Sequence, residues 1–331
     1  MAGRRQKKSG GRSYAWRYRG RIVACVFVEV IIICALVIMI GWNKGVKEWF
    51  EQFEQPVLKE VDISGINSPN AILMHARGGK VLGEINGDEK IYPASMTKIM
   101  TVILGIENFD DLDEKITLTN EMFSGLYEQD ATQAGFQPGE EVRVIDLLYG
   151  AMLPSGAECC IALADTISGS EADFAELMNK KARKLGMENT NFCDSTGLHN
   201  PDHYSTVKDI AVLMKYCIKN DTFREIVETS RHSTGVTNIH PDGITYYSTM
   251  FKNLSDPTVT GGKILGGKTG YTSEAGHCLV SFAEIEGREY IFVSAGASGA
   301  DGNTIPHIQD AVTVYNRVGA AVEAKMNDNN K

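Results

Sequence analysis

One uninterrupted apolar segment limits what this chain can fold into more than any other feature. Residues 22–40, IVACVFVEVIIICALVIMI, contain a single charged side chain, Glu29. Nineteen such residues are long enough to cross the hydrocarbon core of a bilayer as a helix. Their many Ile, Val, Leu and Phe side chains offset the cost of one carboxyl group in the membrane. The segment predicts a transmembrane anchor over residues 22–41, with the lipid bilayer as its partner.

The charges on either side of this segment predict its orientation. Residues 1–21 carry eight Lys and Arg side chains and no acid, whereas only Lys44 and Lys47 closely follow the segment. Because positive flanks stay in the cytoplasm, we expect a basic cytoplasmic tail over residues 1–21 and the rest of the chain outside the cell membrane. A cleaved signal peptide is the alternative, but its apolar region would be shorter and a small-residue cleavage site should follow.

The remainder of the chain is acidic, with 25 basic against 42 acidic residues. An acidic body argues against nucleic acid as a partner, because phosphate binding needs a basic surface. Five cysteines follow the apolar segment, an odd number without paired metal-ligand spacing, so at least one is free. They are Cys159, Cys160, Cys193, Cys217 and Cys278.

The order of the predicted elements indicates an α+β fold. Residues 42–60 have the composition of a stalk, and residues 61–322 read as one folded domain followed by a tail over residues 323–331. An early hairpin turns at Arg77-Gly78-Gly79, helical patterns fill residues 139–187, and the last third is rich in strands before a final helix. Strands at both ends of a domain with helices between them favour an antiparallel sheet flanked by helices.

A serine and a lysine at helical spacing are the first candidates for chemistry. Ser95 opens the apolar run SMTKIMTVILGI, and Lys98 lies inside it. Residues three apart share one face of a helix, and burial lowers the pKa of a lysine. A lysine that can lose its proton can act as the general base for a serine hydroxyl. The partial positive charge at a helix N-terminus would favour a developing oxyanion.

The Ser-x-x-Lys spacing is a weak signal alone, and Ser95 could equally be a helix cap. The same chain contains a second copy at Ser205 and Lys208. There, Thr206 and Asp209 have capping-box spacing, which predicts a helix start and no chemistry. A third segment strengthens the case for Ser95, since Lys268-Thr269-Gly270 offers a cation, a hydroxyl and a side-chain-free backbone to a carboxylate-bearing substrate. A glycine-rich edge strand with a surface lysine is the alternative there.

Ser95 and Lys98 followed by Lys268-Thr269-Gly270 resemble the penicillin-recognising serine enzymes. The segments PASMTKIMT, LLYGAMLPSGAE, NFCDSTGLHNPDHYST and GGKTGYTSEAGHCLV resemble, in the same order, those of the low-molecular-weight D-alanyl-D-alanine carboxypeptidases of peptidase family S11. The resemblance implies the β-lactamase/DD-peptidase-like fold and no metal or other cofactor. It implies peptidoglycan stem peptides ending in D-Ala-D-Ala as substrates and β-lactam antibiotics as inhibitors.

The resemblance also implies a role for each matching residue. Ser95 would be the nucleophile that forms the acyl-enzyme, Lys98 its base, and Ser155 a proton relay. Lys268, Thr269 and Gly270 would bind the end of the substrate that carries the carboxylate. The backbone N–H groups of Ser95 and Tyr271 would form the oxyanion hole.

One departure from the family pattern leaves alternatives open. The family's Ser-x-Asn reads Ser155-Gly156-Ala157 here, so Ala157 lacks the amide that would contact substrate or Lys98. A serine D-alanyl-D-alanine carboxypeptidase is the leading interpretation. A D,D-endopeptidase or transpeptidase with the same acyl-enzyme is the second, and a catalytically impaired module that binds stem peptides or penicillin is the third.

Overall fold

The computed structural model describes residues 58–254, 256–299 and 305–329. The predicted cytoplasmic tail and the predicted anchor over residues 22–41 lie outside these ranges. Within the described part of the chain, no helix combines the length and the apolar composition needed to span a bilayer. Leu58 is already buried in the core, although the sequence assigns it to the stalk.

A six-stranded antiparallel sheet forms the centre of the domain, in the order β2-β1-β10-β9-β8-β7. Two further two-stranded sheets, β3-β4 and β5-β6, lie outside it. The strands are β1 (Asn70–His75), β2 (Val81–Ile85), β3 (Lys115–Thr117), β4 (Glu141–Arg143), β5 (Arg231–Ser233), β6 (Thr245–Tyr247), β7 (Thr258–Val259), β8 (Gly262–Thr272), β9 (Gly276–Ile285) and β10 (Arg288–Ala297).

Most of the helices lie between β2 and β7 in the chain, and a long one follows the sheet. They are α1 (Lys98–Asn108), α2 (Val144–Met152), α3 (Ala157–Ser168), α4 (Glu171–Leu185), α5 (Val207–Cys217), α6 (Asp221–Glu228), α7 (Thr249–Asn253) and α8 (Pro306–Asn329). Short 3₁₀ helices occur at Ala94–Thr97 and Asn120–Phe123. The helix α8 runs through the segment 323–329 that the sequence assigns to a tail.

The central sheet is apolar on both faces, which places it between two helical layers. Along β9, Val280 and Phe282 pack into a core shared with the helices α1 to α6, whereas Leu279 and Ala283 pack into a second core shared with α8. This alternation follows the two-residue period of a strand, whose successive side chains point to opposite faces. A strand buried on both faces has no polar side to expose, so it reads as a continuous apolar run.

The structure confirms the predicted α+β architecture and most of its elements. The hairpin at residues 76–80 joins β1 and β2, which pair antiparallel, and β1 pairs in turn with β10 from the end of the chain. Strands from both ends of the domain therefore pair within one sheet. Thr206 caps α5 by accepting a hydrogen bond from the N–H of Asp209 at 3.0 Å, as predicted for the second Ser-x-x-Lys copy. The short helix α6 and the two small sheets were not expected.

Candidate active site

Ser95 lies in a tight turn over residues 93–97, the nucleophile turn, which leads directly into a helix. Pro93 precedes a 3₁₀ helix over Ala94–Thr97, and the α-helix α1 begins at Lys98. Ala94 has φ of 46°, in the left-handed region that a non-glycine residue seldom adopts. Such strain is held only where the surroundings over-determine the backbone, and it concentrates at functional sites. Ser95 is only partly buried within an otherwise buried helix start.

Lys98 extends back over the turn to the Ser95 hydroxyl. Its Nζ donates to Ser95 Oγ at 3.0 Å and to the carbonyl oxygen of Thr196 at 2.6 Å. The side chain is buried, and this burial lowers the pKa of Lys98 despite the opposing attraction of nearby Asp194 and Glu158. The predicted shared face and the predicted burial of Lys98 are both confirmed.

Ser155 approaches Ser95 from the turn between α2 and α3. Its Oγ donates a hydrogen bond to Ser95 Oγ at 3.0 Å. Its φ of 73° is again in the left-handed region, so this turn presents its side chain from a backbone conformation that is costly for serine. Ser95 Oγ thus receives hydrogen bonds from two sides, one from Lys98 and one from Ser155.

The strand β8 closes the site on the side opposite Lys98. Lys268 is 1% exposed, and its Nζ donates to Ser155 Oγ at 3.0 Å and to the carbonyl oxygen of Thr269 at 2.9 Å. Burial, followed by repulsion from Lys98, holds the pKa of Lys268 well below its usual range. The hydroxyl of Thr269 contacts that of Thr249, on α7, at 2.7 Å.

Gly270 brings β8 against the backbone of the nucleophile turn. A Cβ atom at this position would lie 3.0 Å from Ser95 N and 3.1 Å from Pro93 O. The missing side chain therefore accommodates the Ser95 segment itself, whereas the sequence suggests room for the substrate backbone. Tyr271 follows on the same strand and is 61% exposed.

Ala157 opens α3 and is buried, and its N–H donates to the carbonyl oxygen of Thr132 at 2.8 Å. The neighbouring Glu158 is fully buried, and its Oε1 accepts hydrogen bonds from the N–H groups of Ala134 and Gly135 at 2.6 and 2.9 Å. Burial raises the pKa of this carboxyl group. Glu158 therefore holds the loop before β4 and does not replace the missing amide at Ala157 with a direct contact to Lys98.

Several groups at this site cannot be recognised from a sequence motif. The carbonyl of Thr196 contacts Lys98 across 98 positions of chain, and a backbone oxygen leaves no trace in residue type. His199 and His203 have the four-residue spacing of a zinc pair, but their side chains take different partners. The His199 ring packs edge-on against Tyr92, with centroids 4.8 Å apart, while His203 contacts Thr97 and Asp194.

Comparison with known proteins decides the family. Residues 57–299 match the family model described as peptidase S11, D-alanyl-D-alanine carboxypeptidase. The chain belongs to the D-alanyl-D-alanine carboxypeptidase family. Ser95, Lys98, Ser155 and the triplet Lys268-Thr269-Gly270 all lie within the matched residues.

Relatives within this family are found at moderate identity. The D-alanyl-D-alanine carboxypeptidase DacF of Bacillus subtilis is 36% identical over 231 residues, which cover 69% of this chain and 57% of DacF. DacC of Escherichia coli is 34% identical over 262 residues, covering 72% of this chain and 58% of DacC. The chain thus spans somewhat more than half the length of these family members.

Solved structures of the family share the fold described above. The crystal structure of the Streptomyces K15 DD-transpeptidase superposes with a TM-score of 0.69 at 29% identity, covering 79% of this chain and all of that protein. A D-alanyl-D-alanine carboxypeptidase from Mycobacterium tuberculosis gives the same TM-score of 0.69 at 22% identity, over 81% of this chain and 96% of that one. The DD-peptidase fold predicted from the sequence is confirmed.

Proposed function

We propose that this protein is a serine D-alanyl-D-alanine carboxypeptidase that removes the terminal D-alanine from peptidoglycan stem pentapeptides. One observation carries the proposal: an unbroken line of hydrogen bonds runs from Lys98 through Ser95 and Ser155 to Lys268, each link 3.0 Å long. The line places a nucleophile between two groups that can move its proton. Membership of the carboxypeptidase family supports the same reaction.

In the acylation step, the Ser95 oxygen would attack the carbonyl between the two D-alanine residues. Its proton would pass to Lys98, whose pKa is lowered by burial. Collapse of the tetrahedral intermediate breaks the C–N bond, and the leaving amine would take a proton delivered through Ser155. D-Alanine departs, the acyl group stays as an ester on Ser95, and water then hydrolyses that ester.

The carboxylate of the substrate would decide which buried lysine is charged. Lys98 and Lys268 both have pKa values lowered by burial, and repulsion between them disfavours two protons. A carboxylate arriving beside Lys268 and Thr269 would stabilise the proton on Lys268. Lys98 would then be the neutral amine, so substrate binding would itself set the base.

Charge on the tetrahedral oxygen would be stabilised by the N–H groups of Ser95 and Tyr271. The close passage of β8 at Gly270 beside Ser95 N supports this assignment. The amide missing at Ala157 would have contacted Lys98 and the substrate. The contact with Lys98 would be replaced by the carbonyl of Thr196, which already binds Lys98. Contact with the substrate would be left without that amide.

Intact-protein mass spectrometry after incubation with penicillin tests the nucleophile. We expect the wild type to gain one penicillin mass on the peptide containing Ser95, and Ser95→Ala to gain none. The variant Ser205→Ala removes the serine of the second Ser-x-x-Lys copy and should label like the wild type. A folded wild type without an adduct would contradict the proposal and favour the binding module.

The substrate is tested separately with a stem pentapeptide and with cross-linked peptide dimers. Release of free D-alanine from the pentapeptide is expected and would distinguish a carboxypeptidase from a binding module. Cleavage of the dimers without D-alanine release would instead identify a D,D-endopeptidase. An acceptor amine joined to the acyl group would identify a transpeptidase.

We also propose that residues 22–41 anchor the chain in the cell membrane, with residues 1–21 in the cytoplasm and the domain from about residue 61 outside. The apolar run and its basic flank support this arrangement. The full chain should fractionate with membranes and resist extraction by salt. A chain that lacks residues 1–41 should be released into the soluble fraction.

A further inference from the structure

A largely buried chain of polar side chains runs beneath the nucleophile turn and takes no part in the reaction proposed above. His203 is 2% exposed, and its Nδ1 lies 3.0 Å from Asp194 Oδ2. Its Nε2 lies 2.9 Å from the hydroxyl of Thr97, which is in the 3₁₀ helix between Ser95 and Lys98. The imidazole therefore joins a carboxylate to the helix that carries the nucleophile.

Asp194 extends this chain to the other side of Lys98. Its Oδ1 accepts hydrogen bonds from the backbone N–H and the hydroxyl of Thr196, each at 2.7 Å, and from the N–H of Gly197 at 2.7 Å. These bonds fix the peptide unit whose carbonyl oxygen accepts from Lys98 Nζ at 2.6 Å. The hydrogen bonds thus run from Thr97 through His203, Asp194 and the Thr196–Gly197 peptide unit to Lys98, which directly follows Thr97 in the chain.

This hydrogen-bonded chain is tightly packed where Gly197 meets the nucleophile turn. A Cβ atom on Gly197 would lie 1.9 Å from the carbonyl oxygen of Ala94 and 2.8 Å from Thr97 Oγ1. The loop therefore presses directly against the nucleophile turn, with no space for an adjusting movement. The side chains of Asp194 and His203 are among the polar groups that hold it there, as is Thr101, whose hydroxyl donates to the carbonyl oxygen of Ser195 at 2.6 Å.

This geometry has a consequence for the lone pair of Lys98. A neutral amine has two N–H bonds and one lone pair. When the carbonyl of Thr196 accepts one N–H, the rotation of the amine is restricted and its lone pair can be aimed at the Ser95 hydroxyl. Proton transfer depends strongly on such alignment, and a misplacement of 1 Å can cost about 100-fold in rate.

We propose that His203 is a positioning residue of the active site, which orients Lys98 toward Ser95 through Asp194 and the carbonyl of Thr196. The inference rests on the proposed serine acylation and adds a residue that touches neither substrate nor Ser95. It assigns His203 to the chemical step and not to the recognition of the substrate carboxylate, which lies on the β8 side of the site.

A competing explanation is that His203 only satisfies buried polar groups and stabilises the fold. The two explanations differ in which variants recover activity. His203→Asn keeps a polar nitrogen near the Nδ1 position, beside Asp194, while His203→Ala removes it. His203→Gln places its amide near the Nε2 position, beside Thr97, and removes the contact of His203 with Asp194 Oδ2.

The test measures acylation of the full chain by a fluorescent penicillin under stopped flow, which separates the non-covalent dissociation constant from the acylation rate constant. We expect His203→Ala to lower the rate constant about 10- to 100-fold, with the dissociation constant within about twofold of the wild type. His203→Asn should recover most of the rate. His232→Ala is the matched control, since His232 also pairs with a carboxylate, Asp146, at 3.1 Å, but belongs to the separate β5-β6 sheet; its acylation should match the wild type.

Each outcome bears on the inference. A wild-type rate constant in His203→Ala overturns it, as does a loss that affects the dissociation constant equally and that Asn does not recover. If His203→Ala fails to fold, the comparison of Asn with Gln decides, and a faster Gln variant overturns the assignment to Asp194. Absence of acylation in the wild type overturns the proposed function and this inference with it, whereas normal wild-type acylation beside an unaffected His203→Ala overturns this inference alone.

Discussion

At the scale of single residues, the site contains two buried lysines that are connected through the hydroxyl groups of Ser95 and Ser155. Lys98 is 3% exposed and Lys268 is 1% exposed, and the pKa values of both are lowered by burial. A buried ammonium group is costly unless it is paired and hydrogen-bonded. An empty site therefore favours the loss of a proton from one of the two lysines, and an anionic ligand beside Lys268 would keep the remaining charge on Lys268.

The substitution Lys268→Met should weaken both the binding of an anionic ligand and the effect of that ligand on Lys98. Removing one partner of a buried, hydrogen-bonded charge pair typically costs about 2–5 kcal/mol, so we expect the second-order rate constant of penicillin acylation to fall at least about 30-fold. Loss of the neighbouring ammonium group should also raise the pKa of Lys98, because repulsion between the two charges is mutual. The acid limb of the acylation rate against pH should move to higher pH.

The control for this substitution is Lys208→Met, in the second Ser-x-x-Lys copy. Lys208 pairs with Asp88 at 3.0 Å near the surface, where its side chain is 42% exposed. Exposed ion pairs contribute little to stability, so acylation by this variant should match the wild type at every pH. An unchanged acid limb in Lys268→Met would contradict electrostatic coupling between the two buried lysines.

The five described cysteines are all free thiols. Four are fully buried, and burial raises the pKa of Cys160 and of Cys278 to about 12. Thiols react as thiolates, so Cys193, the only described cysteine that is partly exposed, should be the one labelled by a maleimide in the native domain. Peptide mapping before and after denaturation checks this, and rapid native labelling of Cys160 would contradict the packing beside Lys98.

At the scale of elements, the loop 194–198 and the nucleophile turn are held together by a contact that only glycine permits. Gly197 has φ of +82°, and its Cα faces the carbonyl oxygen of Ala94. Gly197→Ala would add left-handed backbone strain to overpacking that typically costs about 1–3 kcal/mol. We expect a clear loss of stability in urea unfolding and slower penicillin acylation of the protein that remains folded.

Gly169→Ala separates the two contributions, because Gly169 has the same φ of +82° at the end of α3 but nothing within 4 Å of the added Cβ. This variant should lose only the cost of the backbone conformation, about 1–2 kcal/mol, and should retain wild-type acylation. Equal stability losses in the two variants would mean that the loop moves away from the turn without difficulty.

The sequence predicts elements better than it predicts the contacts between them. Ser95 and Lys98 are three residues apart, so helical periodicity alone places them on one face, and the structure confirms this. Ser155 and Lys268 are distant in sequence, and only the resemblance to a known family brings them to Ser95. The carbonyl of Thr196 and the pairing of Asp194 with His203 depend on tertiary packing of a loop, for which no periodic or compositional signal exists.

At the scale of the whole molecule, the central sheet links the active site to the far layer of the domain. The strand β8 carries Lys268 on the side of the site, and β9, its neighbour, carries His277. The ring of His277 stacks on that of His307 at the start of α8, with centroids 5.0 Å apart and planes within 7° of each other. A titratable pair thus lies between the sheet and the helix that covers its second face.

His307 should make the stability of the whole domain fall in mild acid. Its side chain is buried, and burial lowers its pKa from 6.5 to about 4. As the pH falls below 6.5, the unfolded chain binds a proton that the folded chain refuses until about pH 4, so the free energy of unfolding decreases across this window. The decrease from this one residue amounts to about 3 kcal/mol at most.

The substitution His307→Phe removes the titrating group while keeping an aromatic ring beside His277. Urea unfolding from pH 7 to pH 5 should give a flatter dependence of the free energy of unfolding on pH in the variant than in the wild type. Carboxyl groups with shifted pKa values, such as Glu158, act equally in both proteins, so the difference between the curves reports on His307 together with its electrostatic effect on the neighbouring His277. Asp194 titrates below this window, because its pKa is lowered to about 2. Burial alone would raise the pKa of Asp194, but its hydrogen bonds to His203 and Thr196 lower the pKa by more. Parallel curves would mean that the folded domain accepts the proton on His307, and that α8 is not sealed against the sheet at this point.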